Sequence, residues 1–234
     1  MSTEHAVPLW TGKVIPGSGP WTHRHSERHG NEPILEWSKS VPDLKCNVPC
    51  EPCNNGWMSA LERRARPVLT PLIQAKPTRL EPHDLELVCF WALKTSLMLD
   101  RCSDAGRQIV PAAEFREVYE KWSVLPSTHV WIGKCDVSRG SWFQARTVEL
   151  DTGDTQTSGY AATLCVGHVV FEVISIGLSG RVKLGLKPDV LSVIAPVWPR
   201  SFKIDWPATP AMTVTQVVNL GDQIAASGLR IYPD

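Results

Sequence analysis

The sequence predicts an α+β protein: an N-terminal segment rich in Pro, Gly, His and Trp, then helices, then an antiparallel sheet. Three observations lead there. Residues 1 to 53 lack apolar periodicity and carry turn chemistry such as "VIPGSGPW" and "RHSERHGNEP". From Trp57 onward apolar residues fall into helix patterns. Beyond residue 127 the texture changes to short runs of β-branched and aromatic residues bounded by Gly, Ser and Asp.

Taken in order, the N-terminal segment cannot build a large apolar core alone and would profit from a metal staple. Trp57, Leu61, Ala65, Leu69 and Leu72 recur at three- and four-residue steps, a helical stripe. Asn54 or Asn55 is its expected N-cap, and Pro67 and Pro71 are expected to kink or split it. A second helix opens at Pro82, with Asp84 and Glu86 at its positive end. Its body, Leu85 to about Leu99, is apolar on most faces and central to the core. "PAAEFREVYEKW" reads as a third helix. Strands follow in "THVWIGK", "SWFQARTVEL", "YAATLCVGHVVFEVISIGL", "RVKLGL" and "LSVIAPVW", with "DTGDT" as a hairpin turn and "MTVTQVVNLGDQIAAS" as a closing helix.

A chain of 234 residues can bury a real core, and 43% hydrophobic with 21% charged residues is the composition of a soluble globular protein. Lys+Arg and Asp+Glu balance at 24 each, so any basic site must be local. "MSTEHAVPLW" lacks the pattern of a signal peptide, and Lys94 interrupts the longest apolar run, "LELVCFWALKTSLMLD", short of a membrane span. The expectation is a cytoplasmic protein with no membrane partner. Cys89, Cys102, Cys135 and Cys165 are scattered singly, which favours reduced thiols, whereas Cys46, Cys50 and Cys53 cluster. No GxSxG, Walker A or GxGxxG signature occurs, so nothing points to a nucleotide cofactor.

Cys50 and Cys53 have the spacing that presents two sulfurs to one zinc ion from a tight turn. The chain has no second CxxC; Cys46 could add a third thiolate and His23, His25 or His29 a fourth ligand. Two thiols in a turn before a helix is the alternative. Upstream lies "TEHAVP", an acidic residue directly before a histidine. Together "EHAVP" and "CEPCNNGWMSALE" resemble the HNH endonuclease family, whose ββα-metal module carries an acid-His dyad before a zinc-knuckle cysteine pair. "CNNGWMSALERRARPVLTPLI" resembles a bacterial and phage subgroup with a large helical and sheet region downstream. The resemblance covers roughly residues 3 to 73.

The resemblance implies an HNH-like ββα-metal module over residues 1–75 and an α+β domain over 76–234. His5 would be the general base, Glu4 and Asn54 would hold a catalytic Mg or Mn ion, and Cys50 and Cys53 would be half of a structural zinc site. The family's middle asparagine would fall to Asn47 or Asp43. Its first cysteine pair precedes the dyad, where this chain has only Met1 to Thr3. The expectation is therefore a reading frame that begins upstream, or a module that has lost zinc. Hydrolysis of a phosphodiester needs a base near neutrality, which imidazole supplies, and charge relief, which a hard divalent cation supplies.

Arg63, Arg64 and Arg66 in "LERRAR" are candidates for gripping a DNA phosphate backbone. "WTHRHSERHG" reads first as a solvated loop and second as a phosphate-contacting or metal-lending loop. His168 reads as a strand histidine, and "VWPRSFKIDWPA" as a rigid edge that packs aromatic surface. The expected function is an HNH-like metal-dependent endonuclease acting on DNA. The alternative is a non-catalytic zinc-type nucleic-acid-binding or interaction protein derived from such a module. Residues 76–234 would select substrate, form a homodimer or bind a partner.

Overall fold

The fold is that of a computed structural model, which describes residues 4–15, 22–29, 32–39, 44–46, 50–103, 106–136, 140–151, 156–176, 183–199, 202–226 and 230–232. The chain enters through β1 (Glu4–His5), a short α1 (Thr11–Val14), β2 (Thr22–His29), β3 (Glu32–Lys39) and β4 (Lys45–Cys46). One helical turn, α2 (Glu51–Cys53), runs through a π-helical turn, Asn54–Met58, into α3 (Ser59–Ile73). After β5 (Thr78–Leu80) come the long α4 (Pro82–Asp100) and α5 (Ala112–Lys121). The strands β6 (Thr128–Cys135), β7 (Gly140–Asp151), β8 (Gln156–Val166) and β9 (Val169–Ile176) follow. Short elements complete the chain: β10 (Lys183–Gly185), α6 (Pro188–Leu191), β11 (Ala195–Trp198), β12 (Ile204–Trp206), β13 (Ala211–Met212), α7 (Val214–Val218), α8 (Leu220–Ala226) and β14 (Arg230–Tyr232).

The main sheet runs β11-β6-β9-β8-β7-β2-β3, with β13 added alongside β6. Its central strands are buried on both faces. α4 packs on one face and α8 on the other. Alternate residues of β9 therefore enter different cores: Phe171 and Val173 meet the α3 and α4 side, Val170 and Ile174 the α8 side. That explains why "VVFEVISI" reads as a continuous apolar run. At the β8–β9 turn Gly167 has φ +59, and a Cβ there would lie 2.7 Å from the Ile73 carbonyl oxygen. The next residue, His168, donates its backbone N–H to that same oxygen at 3.1 Å, stitching the hairpin to the end of α3. Its ring Nδ1 meets the Cys135 carbonyl at 2.8 Å.

Several expectations need correction. The sheet is mixed: β2 runs parallel to β7, and β13 parallel to β6. Between β2 and β7 the chain passes through all the long helices, and so long a crossover permits parallel pairing. The "THRHSERH" segment is no solvated loop but β2, an interior strand between β3 and β7. His23, His25 and Glu27 are its buried row, while Arg24 is exposed and Ser26 and Arg28 half-buried. Pro67 and Pro71 do not split α3, which is continuous over Ser59–Ile73. They stand four residues apart, with Arg63 and Pro67 exposed, so the carbonyls they leave without helix donors lie toward solvent. Helix begins at Glu51 rather than after Asn54, because Cys50 is the cap and its Sγ accepts the Cys53 N–H at 3.1 Å. The closing helix is broken at Asn219 into α7 and α8. Asp43, Asn47, the turn over 152–155 and the side chain of His29 lie outside the described residues.

Other expectations hold. α4 starts at Pro82, behind a capping box in which the Asp84 carboxylate accepts the Glu81 N–H at 3.0 Å. Trp206 is buried in the core and Trp198 half-buried, each preceding a cis-proline. No helix among the described residues is long and apolar enough to cross a membrane. Cys135 and Cys165, separate in sequence, meet in space with sulfurs 3.4 Å apart and no bond between them.

One rung of the sheet is polar inside the second core. Gln144, Thr163, Glu172 and Trp131 stand side by side on β7, β8, β9 and β6. The Thr163 hydroxyl donates to Glu172 Oε2 at 2.6 Å. Burial raises the Glu172 carboxyl to about 8, against the Thr163 bond and the Arg146 guanidinium, which pull it down. A folded pKa above the ordinary 4.5 means that the folded state holds this proton more tightly than the unfolded chain. Its stability contribution is thus complete below 4.5 and is lost as pH rises through about 8. Glu172→Gln should gain on the wild type across that window by up to about 1.4 kcal/mol per pH unit. Urea unfolding at both ends measures it; a pH-independent difference would refute the raised carboxyl.

Candidate active site

The acid-His dyad sits on β1, which pairs antiparallel with β4: Glu4 faces Cys46 and His5 faces Lys45. Ala6 continues the ladder, its N–H donating to the Leu44 carbonyl at 2.9 Å. β4 leads within a few residues to Cys50 and the helical stretch. The order is strand, strand, helix, with β2 and β3 inserted between the two short strands.

What fixes the dyad is a residue that sequence reasoning missed. Lys94 lies mid-way along α4, 1% exposed, on a helix buried on almost all sides. Its Nζ donates to Glu62 Oε1 at 2.8 Å and to Glu4 Oε1 at 3.2 Å. Glu62 belongs to the first turn of α3, which continues the helical stretch that begins at Glu51. Burial pushes the Glu4 carboxyl up, and the Lys94 ammonium pulls it back. Tyr119 of α5 closes the cluster. Its hydroxyl is 3.4 Å from Met58 Sδ and 3.3 Å from Met98 Sδ. Burial raises its pKa, and the nearby Cys46 and Glu4 raise it further. The signal for Lys94 was present: a cation inside "CFWALKTSLML" must find partners if that helix is core. Glu62 and Tyr119 carried no comparable signal.

Asn54 is half-buried at the start of the π-helical turn. Gly56 interrupts that turn with ψ −110, and a Cβ there would meet nothing within 4 Å. The three arginines diverge. All are exposed; Arg66 lies over the Trp10 ring at 5.8 Å, while Arg64 lines a groove with Trp57.

Cys50 and Cys53 are joined as a disulfide with Cα atoms 5.2 Å apart, a state in which neither sulfur can ligate zinc. Cys46 is buried on β4. His23 and His25 are engaged on β2, with Ser141 Oγ at 2.7 Å and Glu27 Oε1 at 3.0 Å respectively. Burial lowers both imidazoles to about 3 and raises Glu27 to about 7, so this row is held neutral around pH 5. Among the described residues no group of three His, Cys, Asp or Glu is arranged to hold a metal ion. A four-ligand zinc site does not fit these residues. A Mg²⁺-type ion asks less of the protein, one or two carboxylates with the remaining positions left to water. Glu4 and Glu62 bring two carboxylates close together, and in this structure the Lys94 ammonium engages one oxygen of each.

No protein-family model, no curated protein and no solved structure matches this chain.

Removing the bridge should be costly. Lys94→Met would leave two partly buried carboxylates facing each other and is expected to destabilise the fold by roughly 3 kcal/mol. Adding Glu4→Gln and Glu62→Gln should recover most of that loss in urea unfolding. Equal stability of Lys94→Met and wild type would show that the bridge holds nothing together.

Proposed function

We propose that the chain is an HNH-like metal-dependent endonuclease that hydrolyses phosphodiester bonds in DNA. The observation that carries the reading is the Glu4–His5 dyad on a strand paired with the one leading to Cys50, followed by a helix whose Glu62 converges with Glu4. When bound by Glu4 and Glu62, with Asn54 at the helix start, a Mg²⁺- or Mn²⁺-type ion supplies charge relief on the phosphate. His5, half-buried beside Glu4, takes the proton of the attacking water. Lys94 touches no reacting atom in this reading; it is a positioning residue that holds the two carboxylates. Arg63 and Arg64, exposed on α3, hold the flanking phosphates.

One observation favours a second reading. Glu4 and Glu62 are both taken up by the Lys94 ammonium, which suits a non-catalytic nucleic-acid-binding or interaction protein derived from such a module. Cleavage separates the two. Supercoiled plasmid with Mg²⁺ or Mn²⁺ should be nicked by the wild type, and His5→Ala should lose about a hundredfold or more of the rate. Glu4→Gln should lose a similar factor. Metal-independent DNA binding without nicking would establish the second reading. Equal nicking by wild type and His5→Ala would remove His5 as the base.

A further inference from the structure

Behind the π-helical turn lies a groove of ≈ 490 Å³, lined by Gly56, Trp57, Arg64, Glu86, Phe90 and Trp122 among others. Its size is that of a small-ligand site. Three aromatic rings form a near-parallel series there: Trp57 is 5.6 Å from Phe90 at 15° and 6.3 Å from Trp122 at 18°. Trp122 ends α5 in a left-handed conformation, φ 51, and is 59% exposed, a large apolar surface that the fold leaves in water. Arg64 stands at the rim, exposed and engaged in no ion pair among the described residues. Glu86 stands on the rim as an exposed carboxylate, and His83 is paired with Asp84 at 3.3 Å.

We propose that this groove is a subsite for one unpaired base of single-stranded DNA, stacked on Trp122 with its phosphate at Arg64. Indole faces hold any base by its π-surface, and a guanidinium holds the adjoining phosphate. Glu86 would repel a phosphate but accepts a hydrogen bond from an exocyclic amino group, as on cytosine. The mix of one cation and one anion around an aromatic slot suits a nucleotide better than an apolar peptide, which needs neither. The groove adjoins the proposed centre: Trp57 meets Tyr119 edge-on at 5.2 Å, and Tyr119 lies against Met58 on the Glu4 side. The biological sense of the subsite rests on the nuclease reading; its test does not.

The probe is a labelled oligodeoxycytidine, followed by fluorescence anisotropy in EDTA so that binding is read without cleavage. Trp122→Ala should weaken binding roughly 5- to 150-fold, the worth of one base–aromatic stack, and Trp122→Phe should retain most of the affinity. Arg64→Ala should lower the slope of log affinity against log salt by about 0.7, one phosphate contact on a single strand. An abasic oligomer of equal charge should bind weakly and without regard to Trp122. Equal binding of the oligomer by wild type and Trp122→Ala would overturn the proposal. So would equally Trp122-dependent binding of duplex, or Trp122-dependent binding of a proline-rich peptide with none of the oligomer. If Trp122 governs binding while the plasmid is never nicked, the subsite stands and the nuclease reading falls. If Trp122→Ala binds the oligomer normally and still nicks plasmid, the nuclease reading stands and the subsite falls.

Discussion

An ammonium group buried in the middle of a core helix is tolerable only if carboxylates come to it. Lys94 imposes that condition on the N-terminal third of the molecule. Its two partners come from different parts of the chain, Glu4 from β1 and Glu62 from α3. β1 is two residues long and its ladder to β4 is short, so hydrogen bonding alone gives it little hold. The charge on α4 supplies what the ladder lacks. The dyad, the helix after the cysteine pair and the central helix are thereby set relative to one another by one side chain. Any chemistry at His5 inherits its position from that bridge.

The same constraint recurs at the far end of α4. Asp100 is fully buried, and its Oδ1 accepts the Ile109 and Val110 backbone N–H groups at 2.7 and 3.3 Å. Its Oδ2 meets Arg101 at 3.0 Å. Burial raises this carboxyl to about 6, and the neighbouring Glu27 adds to the rise. Through Ser103, which reaches His25 at 3.5 Å, the cluster joins the polar row of β2. α4 is thus tied to the N-terminal segment twice, by Lys94 to β1 and near Asp100 to β2. Around these ties its apolar residues, from Trp91 to Leu99, belong to the core shared with α3 and the sheet.

How much of this was legible depends on whether the buried residues were apolar. β6, β8 and β9 are hydrophobic on both faces, and their runs announced them. β2 was not legible, because the row it buries is His23, His25 and Glu27, and a search for alternating apolar residues passes over it. The pattern was there with period two, written in polar letters. Continuity of α3 through Pro67 and Pro71 was illegible for a different reason. Proline inside a helix costs it a donor and a fit, but which side faces water is a tertiary fact. At the site, Glu4 and His5 were visible as a dyad because adjacency in sequence is enough to suggest it. Glu62 was not, since one glutamate among the charged residues of "LERRAR" needs no buried partner to explain it. Lys94 marked itself as anomalous, yet only the fold could name its partners.

Stapling of the N-terminal segment brings these strands together. A segment so poor in apolar residues needs some tie beyond its own core, and zinc is one that sequence suggests. The fold offers three others. β2 and β3 are incorporated into the main sheet, so the segment shares a core with the rest of the chain. Lys94 fastens β1. The Cys50–Cys53 bond, with the Cys53 N–H capped on Cys50, closes the turn from which the helix departs. These ties do structural work of the kind a zinc staple would do. The question of zinc is then separate from the question of catalysis. In the proposed reading catalysis turns on Glu4, His5 and Glu62, whose arrangement the ammonium of Lys94 maintains without any thiolate.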